Sequence, residues 1–477
     1  MLMIKELKEI VGAKNVLDDK ETLELYSKDQ SLNPPKQPAV VVKPKDTAEV
    51  QAVVKFANKT LTPVVPLSSG IHFWGATLPE QGGIILDLSR MNKILEIDTQ
   101  NRKAKIQPGV TWPQLMDALK PHDQIPLNPL FPHPKTSALT SSLEREPMLI
   151  PKYEYGDPVL TMEVVLPTGD LFKTGTASAA NTQEGYPEGP GIDFYRFFLG
   201  AQGTLGIVTW LNIKTEYRPK NQKAFFVAFN ELQDAAEPIY GIQRRHVGNE
   251  CFVVNRCLLA TLLSNGDQKE YAKLMSELPP YALVLVIAGA PRRPLERIAY
   301  EEEALMEIAA QLNFEPKKTV GGIAGLEATM LERLRNLPAN GDYWKTRFKK
   351  STQDIFFTTT MDRAGDFADT ALSYAACYNL SINDIGIYMQ PLERGRACFL
   401  SFSFPCDLEN QSEKEQIGSL YLDLSERLLT EGAFFTRPYG PWADMVYRRT
   451  TTYTNTLKEL KKIFDPNHIL NPGKLCY

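Results

Sequence analysis

The stretch "PAVVVKPKDTAEVQAVVKFANKTLTPVVP" (38–66) constrains the fold more than any other part of the chain. Two short β-branched runs flank a segment in which Val50, Val53, Val54 and Ala57 share one helical face. Asp46 suits the N-cap, with Glu49 three residues on as its capping-box partner. The pattern is strand, capped helix, strand, and it delivers the chain directly into "PLSSGIHFWG" (66–75). That decapeptide holds two serines, two glycines and a histidine. Small residues in such a place serve either a strained turn in a core or a loop where backbone presses against a cofactor.

The following residues predict short strands at Ile84–Leu88, Ile94–Ile97 and Ala104–Gln107, then a helix from Trp112 to Leu119. "PHDQIPLNPLFPHPKTS" carries five prolines in seventeen residues and reads as a long ordered loop or crossover. "VLTMEVVLPTGDLFKTG" (159–175) alternates, turns at Pro167–Asp170 and resumes, as a hairpin does. "FLGAQGTLGIVTW" (198–210) sets three glycines at three-residue spacing ahead of a β-branched strand. From 224 to about 410, strands at 224–229, 282–288, 354–358, 385–389 and 397–404 alternate with helices near 294–312, 322–336 and 364–378. That is an antiparallel sheet with helices on one face. The tail from about 412 is helical and closes on "IFDPNHILNPGKLCY".

Several function classes are disfavoured at once. A net charge of −4 in 477 residues, with no basic concentration, argues against a nucleic-acid partner. No run is long enough to span a bilayer and no secretory signal is apparent, so the expected location is cytoplasmic. The six cysteines form no CxxC pair, and only five histidines exist, so no metal site is expected. "GAQGTLG" lacks the G-x-G-x-x-G spacing and precedes a strand, where a dinucleotide fold needs a helix.

Taken in order, "PLSSGIHFWGATLPEQGGIILDLSRMNKILEIDTQNRKAKIQPGVTWPQL", the hairpin, "LGAQGTLGIVT" and "FDPNHILNPGK" resemble the flavoprotein family of vanillyl-alcohol oxidase and p-cresol methylhydroxylase. The likeness is greatest to the p-cresol methylhydroxylase branch. It implies an α+β chain: an N-terminal helical segment (1–33), a two-subdomain FAD-binding domain (34–217) and a substrate cap with an antiparallel sheet (218–415). A C-terminal segment (416–477) returns to the FAD domain. By resemblance, Pro66, Leu67, Ser68, Ser69, Gly70, Ile71 and His72 wrap the FAD pyrophosphate, and a nest of backbone amides suits that task. Many relatives have arginine where Leu67 stands. Gly203, Gly206, Ile207 and Val208 approach from the second half of the domain, and Thr140 and Ser141 fall in the middle FAD segment, which lacks the family's paired glycines.

Relatives that attach flavin covalently from this loop have histidine directly after the last glycine of the turn; here that place is Ile71. His72, one step on, points the other way in extended chain. The expectation is therefore non-covalent FAD. His72 then either hydrogen-bonds a phosphate or ribose or is a buried histidine paired with backbone. Tyr388 is available for attachment from the cap, with nothing to single it out.

The phenol oxidisers of the family hold a phenolate with arginine and tyrosines near the C-terminal region. The resemblance assigns that catalytic role to Arg437, with Tyr439 beside it, while Thr436 stands where the family has tyrosine. Arg396, with Glu393 and Arg394, sits at the end of a cap strand and is a further lining candidate. The implied activity is oxidation of a small organic substrate, an aromatic alcohol or alkylphenol, by hydride transfer to flavin. Electrons then pass to O₂ or to a partner subunit, a cytochrome or iron–sulfur protein, in a homo- or hetero-oligomer. Two rival readings stand beside it. One is a D-2-hydroxy-acid dehydrogenase, whose usual histidine-rich cap motif is not found here. The other is a flavin-binding subunit without turnover.

Overall fold

The computed structural model describes residues 2–149, 157–289, 291–337 and 343–477. The strand–helix–strand pattern of 38–66 forms the heart of the first of three sheets. Its strands are β1 (Val16–Leu17), β2 (Val40–Val42), β3 (Val64–Leu67) and β4 (Ile84–Asp87), in the order β1-β2-β4-β3. The helix Thr47–Thr60 crosses from β2 to β3 over β4, and both pair with β4 in parallel. Its start follows the sequence: the Asp46 carboxylate accepts from Glu49 N at 2.9 Å, and Glu49 Oε2 accepts from Lys45 N at 2.9 Å. Val50, Val53, Val54 and Ala57 are buried against the sheet.

The second sheet is antiparallel. It contains β5 (Ile94–Asp98), β6 (Lys103–Ile106), β7 (Gln124–Pro126), β8 (Val159–Val165), β9 (Leu171–Lys173) and β10 (Ile207–Tyr217). The order is β5-β6-β10-β8-β9, with β7 also paired to β10. The eleven-residue β10 follows the glycine series directly, so sheet and glycine loop are one continuous piece of chain.

The third sheet holds β11 (Gln222–Phe229), β12 (Glu250–Asn255), β13 (Tyr281–Ala288), β14 (Ser351–Thr359), β15 (Gly386–Leu392) and β16 (Ala397–Cys406). Its order, β11-β13-β12-β15-β16-β14, is antiparallel throughout. The long helices Pro294–Leu312, Ala364–Cys377 and Gln411–Thr430 contribute buried residues to its core. The molecule is thus an α+β chain with antiparallel sheets, as the sequence implied.

The tail closes the first sheet. After the helix Thr451–Phe464, Val64 N donates to Ile469 O at 2.7 Å and Asn471 N donates to Val64 O at 2.9 Å, so the tail runs parallel along β3. Lys461, its side chain sealed from solvent, donates to Asp465 Oδ2 (2.7 Å), Thr204 O (2.6 Å) and Leu470 O (2.9 Å). Asp465 in turn accepts from Ile469 N (3.1 Å) and Leu470 N (2.8 Å). Asn471 Nδ2 donates to Gln202 O (2.7 Å) and Ala76 O (3.0 Å). The "FDPNHILNP" segment is therefore a polar knot joining the loop after β3 to the glycine loop before β10.

Candidate active site

Two cavities lie between these elements, and they share a wall. The first, of about 1070 Å³, runs between the loop after β3, the short helix Ala138–Leu143 and the glycine loop at the start of β10. Pro66, Leu67, Ser68, Ser69, Ile71, His72, Thr140, Gly203, Gly206, Ile207 and Val208 line it, with Tyr439. Gly70 and Ser141 do not. Gly70 N donates to Lys135 O at 3.0 Å, and Ser141 Oγ accepts from the Trp112 indole at 3.1 Å. Ser141 is buried behind the wall, and Gly70 is exposed.

The serine side chains tie the loop in place. Ser69 Oγ accepts from Ser137 N at 2.9 Å, and the Ser68 hydroxyl meets that of Thr140. These contacts fasten the β3 loop to the helix that faces it across the cavity. Gly203 shows why a side chain is excluded nearby: its φ is +69°, and a Cβ there would lie 2.4 Å from Pro66 Cγ. The two loops approach one another backbone to ring.

His72 is half-buried, with its carbonyl accepting from Gln30 N at 2.9 Å. Burial pulls the imidazole pKa down, against the opposing pull of Asp29. Its Nε2 is shut away from solvent with no hydrogen-bond partner. A buried donor or acceptor left over on the wall of a cavity costs stability unless a ligand satisfies it.

The second cavity, of about 820 Å³, faces the third sheet. Phe73, Trp74, Tyr343, Trp344, Phe356, Tyr388 and Phe399 supply aromatic walls. Arg437 enters it from the loop before the helix Pro441–Tyr447. Only 5% exposed, it lays its guanidinium 4.1 Å from the Phe356 ring centre. Its Nε has no hydrogen-bond partner. Arg145 Nη2 holds the loop by donating to Thr436 O at 2.7 Å, so Thr436 contributes its carbonyl.

Tyr439 belongs to the first cavity. Its hydroxyl donates to Glu144 Oε2 at 2.6 Å, and its ring stacks on Trp74 at 6.0 Å and 14°. Burial, then the Glu144 carboxylate, pushes the phenol well above its ordinary pKa. Tyr388 donates to Gln390 Oε1 at 2.5 Å, and Gln390 is held by Met148 O at 2.7 Å. His133 accepts from Lys135 N at Nδ1 (3.0 Å), and burial followed by Lys135 lowers it to about 4.

Arg396 falls outside both cavities. The β15–β16 hairpin turns at Glu393–Gly395, and Arg394 and Arg396 stay exposed there. Arg396 lies on the turn just before β16, with helical backbone angles, whereas Phe399 and Ser401 within the strand line the second cavity.

Other wall residues were not singled out from sequence. Phe73 and Trp74 directly follow His72 and border both cavities, as do Thr136 and Glu146. Burial raises both Glu144 and Glu146, with Arg437 pulling each back. Lys345 lines the second cavity with its charge matched by Asp354 at 2.6 Å. The signal for the acids was present in "TSSLEREP", where two glutamates flank an arginine at the end of the middle segment.

The residues present fit a long dinucleotide with a redox-active ring. The first cavity has a glycine approach that a Cβ would close and leaves His72 Nε2 unsatisfied. Fold and site thus define a flavin-dependent oxidoreductase, with FAD as the cofactor. Residues 38–175 match the FAD binding domain family model and residues 443–475 match the C-terminal domain of FAD linked oxidases. The second match covers the tail knot.

Among relatives, the glycolate oxidase subunit GlcD of Bacillus subtilis is 26% identical over 99% of this chain and 96% of its own. The D-lactate dehydrogenase of Anaerostipes hadrus is 26% identical over 100% and 97%. The solved structure of p-cresol methylhydroxylase with substrate bound superposes with a TM-score of 0.83, covering 100% of this chain and 96% of that one at 20% identity. The chain thus carries matches to FAD-linked oxidases over residues 38–175 and 443–475, and it shares the fold of p-cresol methylhydroxylase.

Proposed function

We propose that the chain oxidises a small aromatic alcohol or alkylphenol bearing an anionic oxygen, with FAD as the oxidant. The observation that carries this reading is Arg437, buried over Phe356 in an aromatic-walled cavity that adjoins the first one. A buried guanidinium without a hydrogen bond at Nε calls for an anion. The surrounding rings favour a flat apolar body attached to it.

FAD would be held by the loop 66–72, Thr140 and the Gly203–Val208 segment, and when bound it supplies the two-electron acceptor. His72 Nε2 would meet a polar group of the dinucleotide rather than form a covalent bond. Phe73 and Trp74 separate the two compartments and orient whatever lies in the second. The Tyr439–Glu144 pair keeps a proton fixed at the edge of the first. Arg437 would neutralise the substrate's anionic end while electrons leave the other end. The electrons then go to O₂ or to a separate acceptor protein, a cytochrome or iron–sulfur protein.

A second reading is D-2-hydroxy-acid oxidation, favoured by the full-length similarity to the glycolate and D-lactate enzymes. Arg437 would hold a substrate carboxylate equally well. Anaerobic bleaching of the flavin separates the two. A panel of 4-alkylphenols, hydroxybenzyl alcohols, D-lactate and glycolate should show bleaching by the aromatic members. Bleaching by the hydroxy acids alone refutes the first reading. Acid precipitation should release FAD into the supernatant; flavin that stays with the pellet refutes non-covalent binding.

A further inference from the structure

The gap between the two cavities carries an inference that rests on the reading of an alcohol oxidation. Three carboxyl groups line the cavities among the described residues: Glu144 the first, Asp354 the second, and Glu146 both. Two are tied to a phenol or an ammonium, while the Glu146 side chain has the Ser141 hydroxyl as a partner. Glu144 accepts the Tyr439 hydroxyl at 2.6 Å. Asp354 is ion-paired with Lys345 at 2.6 Å and accepts Thr352 Oγ1 at 3.1 Å. Glu146 stands at the gap itself, beside Phe73, Trp74 and Thr136, and its backbone is fixed by Glu146 N donating to Ser141 O at 3.1 Å.

We propose that the Glu146 carboxylate accepts the hydroxyl proton of the substrate alcohol, at the point where the substrate cavity opens onto the flavin cavity. The oxygen–hydrogen bond breaks and its proton passes to Glu146, which becomes a neutral acid. The adjacent carbon–hydrogen bond breaks with its electron pair, which goes with the hydrogen to FAD. A carbon–oxygen double bond forms, so the substrate loses two electrons and FAD gains two.

The charges around Glu146 suit this task. Arg437 and Lys345 face it as cations, Glu144 as a second carboxyl, and Tyr343 and Tyr439 as phenols. Burial raises its pKa while Arg437 restrains the rise, which brings an acceptor closer to neutral pH. Arg437 sits close enough to bind the anionic end of a substrate and still modulate the acceptor.

Glu146→Gln and Glu146→Asp in the FAD-loaded enzyme test the assignment. Under anaerobic conditions, Glu146→Gln should slow bleaching by a primary hydroxybenzyl alcohol about 10²–10⁴-fold and abolish the acid limb of the pH profile. Glu146→Asp should keep a limb, displaced, and recover part of the rate. A readout without turnover uses a tertiary benzylic alcohol, which has no hydrogen to give up. Its affinity for the wild type should fall as Glu146 protonates, and should be independent of pH in Glu146→Gln.

Bleaching of Glu146→Gln within about threefold of wild type, with the limb intact, overturns the role of Glu146 and leaves the alcohol-oxidation reading standing. If Glu146→Gln loses its flavin, an unmoved limb in Glu146→Asp overturns the role. A wild type bleached by alkylphenols and by no primary alcohol overturns this role alone, and one bleached by neither overturns the functional reading with it.

Discussion

Replacing Lys461 by Met should damage the flavin site from a distance. The ammonium is fully buried and makes three contacts, to Asp465 and to the carbonyls of Thr204 and Leu470. Methionine keeps the reach of the side chain and loses all three. Asp465 then stays buried as an anion, supported only by Ile469 N and Leu470 N. Breaking one side of such a pair costs about 3–5 kcal/mol, and each abandoned carbonyl adds to the upper end of that range. Part of the loss should fall on cofactor binding, because Thr204 follows Gly203 in the glycine loop of the first cavity. A tenfold weaker FAD affinity would account for about 1.4 kcal/mol.

The assay is denaturant unfolding of the apoprotein, paired with a fluorescence titration of FAD. Adding Asp465→Asn to Lys461→Met removes the stranded charge and should recover about 1–2 kcal/mol, so the double variant should be more stable than the sum of singles predicts. A Lys461→Met protein destabilised by less than about 1 kcal/mol, with unchanged FAD affinity, would refute the reasoning.

Gly203→Ala forces a Cβ to 2.4 Å from Pro66 at a positive φ, and about 1–2 kcal/mol of backbone strain alone should weaken FAD about tenfold; equilibrium dialysis checks it. Arg437→Ala should weaken an anionic aromatic ligand about 10–100-fold without changing FAD affinity. Arg437→Lys should restore only part, since a lysine keeps the charge but not the flat face over Phe356. His133 is held neutral down to about pH 4, below its unfolded value of about 6.5. Its folded pKa is depressed, so the unfolded chain takes up protons first and stability should fall as pH drops from about 6.5 to 4, by up to about 3 kcal/mol. Denaturant midpoints at the two ends of that window, compared with His133→Gln, test this; equal acid sensitivity in the variant removes His133 as the cause.

Local chemistry made part of the structure legible. The helix Thr47–Thr60 was readable because its cap, its apolar face and its flanking strands all agree. Trp112–Leu119 and the 159–173 hairpin were readable for the same reason. The strand Glu250–Asn255 and the helix Arg256–Leu263 were not. "ECFVVNRCLLATLL" is apolar almost throughout, because both elements are buried on most sides, and a run without period carries no secondary-structure signal. At the site, the loop of small residues lines the first cavity, while the hydroxyl contacts of Ser68 and Ser69 depend on a partner segment some seventy residues away. Glu146 was visible as a residue in "TSSLEREP", but its setting was not. Two glutamates around an arginine look like a solvated surface, and only the distant approach of Arg437 and the third sheet places Glu146 on a cavity wall.

The tail knot also sets an order of assembly. Lys461, Asp465 and Asn471 leave the ribosome after all three sheets have been made. Until they arrive, Gln202 and Thr204 lack their clamp and β3 keeps an open edge beside Val64. A nascent chain arrested before residue 461 can hold the sheets of the FAD-binding region, yet its cofactor cleft lacks the staple that sets its width. An incomplete chain lacks the contacts that fix Gln202 and Thr204 beside the first cavity.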